Sequence, residues 1–208
     1  MALVRVATVS SPFNRPALLE AAIGLLRHAA ALGLLDKRET VDDLDFELVR
    51  EIATEASAAG VGRDAAMGIL GSAKSSSRLA SYIERLDEAL VASPLPEREL
   101  RELGRIFDLD DLAALLGTSE VSLRRYATGA RTIPDELAER LHWLALVVGD
   151  LAGAYNDIGI RRWFERPRTA LGDRTPREAL GRDWHASDTN VEEVRRLAAN
   201  LAGVGVAT

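Results

Sequence analysis

Cysteine is absent from the 208 residues. That excludes a disulfide framework and any thiolate metal site, and it fits a reducing cytosol. Aromatic residues are scarce at 5%. Three histidines occur, His28, His142 and His185, isolated from one another and in no metal-ligand spacing. Without cysteine, a zinc site would need distant carboxylates. No Ser, His and Asp set stands out, and the stretch GSAKSSS at 71–77 lacks the second Gly-Lys-Ser/Thr element of a phosphate loop. The sequence therefore makes no positive case for an enzyme, a metal or a cofactor. Positive charge is not in excess either. The net charge is −6, whereas a protein that merely coats nucleic acid is usually basic. A localised basic face remains compatible with that balance, because exposed charges beyond roughly 8–10 Å are screened. Long uncharged apolar runs are also missing. Residues 16–35 contain Glu20, Arg27 and His28, and residues 1–9 are short and interrupted by Arg5, against the ~20 apolar residues a membrane span needs. The expectation is a cytoplasmic protein that does not enter membranes.

What is present favours helices. Hydrophobic residues make up 47% and charged residues 28%, enough for a packed core, and Ala, Leu, Arg and Glu dominate. An all-α fold is expected. Residues 3–9 read as a short strand or an extended arm. Pro16 opens a helix over 16–35 that is apolar nearly all round, the expected centre of an N-terminal helical bundle. Residues 41–59 read as a second helix, with Leu44, Leu48, Ile52 and Ala56 repeating every four. Its acidic face, Asp42, Asp43, Asp45, Glu47, Glu51 and Glu55, is expected to be solvated. Residues 63–70 and 79–91 are further helices. The turn between them resembles that of a helix-turn-helix, with Lys74 and Arg78 outward, but Ser77 occupies a core position. The prolines of SPLPE, Pro94 and Pro96, mark a boundary. The expected division is an N-terminal helical domain of unassigned role at 1–92, a linker at 93–98, a DNA-binding unit with a long following helix at 99–155, and a C-terminal domain at 156–208.

Residues 108–131, DLDDLAALLGTSEVSLRRYATGAR, carry the densest set of constraints. Leu109, Leu112, Ala113, Leu115 and Leu116 form a stripe at helical spacing. Gly117 can end that helix by taking positive φ, and Ser119 can cap a new one. The new helix is expected to bury Val121, Leu123 and Tyr126 and to show Ser122, Arg124 and Arg125, with Gly129 as its stop. Two short helices with cations and hydroxyls outward suit a recognition helix in the DNA major groove. The rival reading is a helical hairpin within a bundle. Candidate DNA-contacting residues are Ser119, Glu120, Ser122, Arg124, Arg125, Thr128 and Arg131. Arg124 and Arg125 matter most, since Arg bonds guanine bidentately or holds phosphate. A helix starting near Pro134 then runs through Leu137, Leu141, Leu144, Val147, Val148 and Leu151 to Tyr155. It is apolar over many turns and must pack on the following domain or on a second copy. In residues 158–180 six arginines oppose three acids, with Trp163 and Phe164 inside the run. A last helix over 191–201 turns Val194, Leu197, Ala198 and Leu201 inward, and Gly203 and Gly205 follow.

The spacing of Ala113, Gly117, Leu123 and Tyr126 resembles the phage-repressor-like (Xre) helix-turn-helix family. Trp163-Phe164, Pro167, Leu171-Gly172, Arg174-Thr175-Pro176, Leu180 and Val194 are similar to the toxin-binding domain of Xre/MbcA/ParS-type antitoxins, the partners of RES-domain toxins. The resemblance covers about residues 99–203. Asp173 departs from it, standing where a second glycine is common, and 183–190 replaces a shorter link. The resemblance implies an antitoxin that represses its own promoter by binding operator DNA and covers the toxin's NAD-handling cleft with its C-terminal domain. Arg161, Arg162, Trp163, Phe164, Arg166 and Arg168 are the candidate partner-binding residues, with Trp163 and Phe164 read first as core anchors. A homodimer is expected, since repressors of this geometry usually read paired half-sites. Two alternatives stand beside this reading: a free-standing repressor whose C-terminal domain serves self-association, and an interaction module that no longer binds DNA.

Overall fold

A computed structural model describes residues 3–35, 38, 40–75 and 77–202. Gly203 and Gly205, read above as the chain's end, lie outside the described residues. The protein is mostly helical and carries one small two-stranded sheet. It divides into two compact units, Met1–Pro94 and Leu95–Thr208.

The first unit opens with β1 (Leu3–Val9), crosses through α1 (Pro16–Ala31) and returns as β2 (Thr40–Leu44), parallel to β1. Leu3 pairs with Thr40 and Val9 with Leu44. Proline sits in the first turn of α1, where its missing N–H has no intrahelical partner to lose. Leu18, Ala22, Leu25, Leu26 and Ala29 of α1 are buried. Helices α2 (Phe46–Ala58), α3 (Arg63–Leu70) and α4 (Leu79–Val91) complete the unit; α1 packs on α4, and α3 packs on both α2 and α4. His28 Nδ1 and Asp87 Oδ1, 2.7 Å apart, tie α1 to α4.

Residues 41–44 are strand, and the helix read over 41–59 starts only at Phe46. The four-residue repeat placed Leu44 on the helix, but Asp45 decides the boundary: its carboxylate accepts the Leu48 N–H at 2.8 Å, the N-cap geometry that begins a helix after it. The acidic residues of this segment therefore divide among roles. Asp42, Asp43 and Glu47 are exposed, Asp45 caps, and Glu51 pairs with Arg38 at 2.6 Å. That hydrogen bond to the Glu51 carboxylate raises the Arg38 guanidinium further above its ordinary value.

The second unit is built around α8 (Asp135–Ala152). Residues 140–151 of α8 are all buried, Arg140, His142 and Asp150 among them. The helices α5 (Pro96–Ile106), α9 (Asp157–Phe164) and α11 (Thr189–Ala202) pack on it. Helices α6 (Leu109–Leu115), α7 (Glu120–Ala127) and α10 (Pro176–Leu180) fill the remainder. The apolar length of α8 is thus covered from both sides in sequence, by the helix before it and by those after it. The division expected at residue 155 falls just beyond the end of this shared core helix, and residues 95–208 form one unit. Helix α5 begins at Pro96, inside the expected linker. Fully buried Glu99 fixes that start: its Oε1 accepts the Leu95 N–H at 2.8 Å and lies 2.7 Å from His142 Nδ1 on α8.

Between α6 and α7 the chain turns at Gly117, whose φ is +66°. The end of α6 is held by two distant side chains. Arg140 Nη1 donates to the Leu116 carbonyl at 3.0 Å and to the Arg182 carbonyl at 3.3 Å, while its Nη2 pairs with Glu136 at 2.7 Å. Trp184 Nε1 donates to the Leu115 carbonyl at 2.8 Å, and its ring meets Trp143 edge-on. These donors satisfy carbonyls that a helix C-terminus otherwise leaves without partners. A Cβ at Gly117 would run into the Arg182 carbonyl and stand 2.6 Å from Arg140 Nη1. Gly117→Ala is therefore expected to cost about 2–4 kcal/mol, from the left-handed conformation plus the backbone clash. Urea unfolding measured beside the wild type checks this, and a loss under about 1 kcal/mol would contradict the geometry.

Candidate functional site

The exposed surface of α7 follows from its local sequence. Ser119 is the N-cap: its Oγ accepts the Ser122 N–H at 3.2 Å and lies 3.0 Å from Ser122 Oγ. Leu123 and Tyr126, three residues apart, turn inward and are buried. Helical geometry then places the other positions outward. Ser119, Glu120, Arg124, Arg125, Thr128 and Arg131 are exposed, and Ser122 is half-buried. Glu120 reaches Arg124 at 3.4 Å across one turn, with both side chains largely in solvent, so the pair contributes little to stability. Thr128 Oγ1 returns to the carbonyls of Arg124 and Arg125 at 3.0 and 3.2 Å. The Arg131 guanidinium lies over the Tyr126 ring, 5.5 Å from its centre. All seven candidate DNA-contacting residues thus gather on or just beyond one short helix, and three of them are arginines.

Val121 is a correction. It was expected beside Leu123 in the interior, and it is 60% exposed. Residues two apart on a helix point to nearly opposite sides, so the inward pair Leu123 and Tyr126 sends Val121 out among the arginines. The neighbours of Val121 on the helix surface are Arg124 and Arg125, one turn on.

The C-terminal candidates separate into interior and surface. On α9, capped by Asn156 through the Gly159 N–H at 2.9 Å, Ile160, Trp163 and Phe164 are buried. Phe164 meets Phe107 and Trp163 edge-on, with ring centres 5.7 and 5.1 Å away. With Trp163 at 2% and Phe164 at 0% exposure, they hold the domain together and offer no surface to a partner. Arg161 is half-buried and donates to the Ile106 carbonyl at 2.5 Å, at the end of α5. Arg168 lies over the Trp163 ring, 5.3 Å from its centre. Arg162 and Arg166 are exposed and are the two of this set that a partner could reach most directly.

Sequence reasoning missed the ionic cluster beside them. Arg177 on α10 donates to Asp111 on α6 at 2.8 Å and to Glu165 at the end of α9. It lines a cleft of about 480 Å³ with Phe107, Asp108, Arg161 and Arg162. No local signal marks that cluster, because its members lie 12 and 66 residues apart. Arg140 and Trp184 were missed for the same reason, although the Glu136–Arg140 spacing was visible. Among the described residues no group of three His, Cys, Asp or Glu could hold a metal ion, and no helix is long and apolar enough to cross a membrane.

The loop between α9 and α10 explains a departure noted in the sequence. Arg168 and Arg174 bridge it, through the Arg168 N–H to the Arg174 carbonyl at 3.0 Å, and the Asp173 N–H returns to the Arg168 carbonyl at 3.0 Å. Gly172 and Asp173 take φ of +65° and +59°. Asp173 is thus a non-glycine residue in the left-handed region, where glycine fits without steric cost. No protein-family model, curated protein or solved structure matches the chain.

Two outcomes follow from this loop. Asp173→Gly should raise stability by up to about 1 kcal/mol, the steric relief less the greater entropy of a free glycine; a urea midpoint lowered by the change would contradict that. The Glu178 carboxylate accepts the Thr175 N–H at 2.8 Å while Thr175 Oγ1 accepts the Glu178 N–H at 3.1 Å, a capping box. The backbone and side-chain hydrogen bonds with Thr175 hold the Glu178 carboxyl below the ordinary carboxylate value. Its contribution is present above the unfolded value and is lost as pH falls through the lowered folded one. Thermal melts of Glu178→Gln should therefore show a shallower acid limb than wild type, with the two curves converging once the carboxyl is protonated.

Proposed function

We propose that this chain is a sequence-specific DNA-binding antitoxin. In this reading α6 and α7 form a helix-turn-helix with α7 as the recognition helix. The chain represses its own promoter as a homodimer and neutralises a RES-domain toxin through the segment after α8. The observation that carries the DNA half is the composition of one surface. On a chain of net charge −6, the outward side of α7 and the turn after it present Arg124, Arg125 and Arg131 with Ser119 and Thr128. That is the inventory for phosphate and base-edge contacts. The end of α6, from which the turn to α7 leaves, is held by Arg140 and Trp184. Because α8 is covered within its own unit, a second copy would meet a different surface.

Support for the toxin half is the sequence pattern from Trp163 to Val194. Its apolar members are interior residues, with Trp163, Phe164, Leu171, Pro176, Leu180 and Val194 all buried, and Gly172 supplies a left-handed turn. The same burial favours one narrower reading, a free-standing repressor, because folding alone accounts for those residues. The grip on a toxin then rests on exposed side chains, Arg162 and Arg166 first.

Gel shifts with the DNA upstream of the chain's own reading frame test the first half. Replacing Arg124 and Arg125 with Ala should weaken binding at least about tenfold, since a bidentate contact carries about 1–3 kcal/mol of discrimination. The melting temperature should not change, because both side chains are exposed. Unchanged binding would reject the assignment. Co-expression with the adjacent reading frame tests the second half: a toxin partner should co-purify with wild type and be lost from an Arg162→Glu, Arg166→Glu double variant that still shifts DNA. Purification of the chain alone would favour the free-standing repressor.

A further inference from the structure

Val121 is an apolar branched side chain at 60% exposure in the first turn of α7. Neither packing nor helix propensity accounts for it: the inward side is filled by Leu123 and Tyr126, and valine is a weaker helix former than Ala, Glu, Lys or Gln, which suit an exposed position. Its surroundings are cationic and hydroxylic. Arg124 and Arg125 stand one turn on, and Ser119 and Ser122 flank the helix start. Glu120 stands beside it and pairs with Arg124 at 3.4 Å, so the surface is a small apolar spot inside a polar rim that two arginines against one carboxylate leave net positive. A second copy of the chain is a poor occupant, because Arg124, Arg125 and Arg131 outnumber Glu120 on this surface and apposing it with itself would leave guanidiniums facing one another unmatched. A polyanion with one small apolar feature at the depth of its groove complements it in both respects. In the major groove of duplex DNA the apolar feature on the base edges is the C5-methyl group of thymine.

We propose that Val121 reads a thymine methyl in the major groove, making it a specificity-determining residue of the surface assigned above to DNA; this rests on the DNA-binding reading. The arginines supply affinity and guanine or phosphate contacts, and Val121 selects T over C at one position of each half-site. The contact is burial of a methyl against two methyls, so its energy is that of removing one methyl-sized apolar group from water.

The test uses the full chain and a random-sequence duplex library, from which bound DNA is recovered and sequenced. Wild type should enrich a motif with at least one strongly preferred thymine. Replacing that thymine in one half-site with uracil, which lacks only the methyl, should weaken wild-type binding about fourfold, and replacing it in both should do so about sixteenfold. Val121→Ala should bind thymine and uracil duplexes alike, at the affinity of wild type for a duplex with uracil in both half-sites, and should melt no lower than wild type. Enrichment of a motif indifferent to the uracil exchange at every thymine would overturn the proposal and leave DNA binding standing. Enrichment of no motif by wild type would overturn both. Sedimentation of the two proteins without DNA supplies the remaining arm: a dimer that Val121→Ala converts to monomer would make the valine a self-association contact and overturn its role as a base reader.

Discussion

A buried guanidinium organises the second unit. Arg140 has 7% of its surface exposed, and a charge so far from water is tolerable only with partners in good geometry. It finds them on three segments: Glu136 one turn back on its own helix, the Leu116 carbonyl at the end of α6, and the Arg182 carbonyl beyond α10. Those partners are far apart in sequence and are brought together by one planar group whose donors point along fixed directions. Trp184 adds an indole N–H to the neighbouring carbonyl at Leu115. The turn at Gly117 is therefore fixed by the rest of its unit as well as by its own φ, and α7 leaves that turn in a defined direction.

Much of this unit was legible in the sequence where its cause is local. Gly117, Ser119 and the Leu123–Tyr126 pair act within a few residues of themselves, through positive φ, an N-cap and helical spacing. The ends of α6 and α7 follow from them. The errors have equally local causes. Val121 was placed by its hydrophobicity and not by its angle around the helix. Leu44 fitted a helical period that Asp45, one residue later, interrupts. What the sequence could not carry is pairing at long range. Glu99 and His142 meet across 43 residues, and Trp184 reaches Leu115 across 69. Nothing in their spacing distinguishes such partners from solvated side chains.

The pattern from Trp163 to Leu180 teaches a related lesson. Its aromatic, proline and glycine positions are a specification for folding a short connection: interior anchors on α9, a left-handed loop at Gly172 and Asp173, and a proline-started, box-capped α10. Recognition of such a pattern identifies how a segment folds more directly than what it grips. The side chains free to meet a partner lie between the pattern's fixed points, where sequence resemblance is least informative.

Trp184 and the Arg182 carbonyl lie beyond α10, yet they reach back to the turn from which α7 leaves. A fragment ending at residue 155 would strip Leu115 of its donor, leave Arg140 with one acceptor fewer and open the indole face of Trp143. It would be an injured protein and not a minimal DNA-binding module. Exchanging the segment after residue 155 for one without Trp184 and the Arg182 carbonyl would for the same reason disturb the turn that α7 leaves, although α7 itself lies wholly outside the exchanged segment.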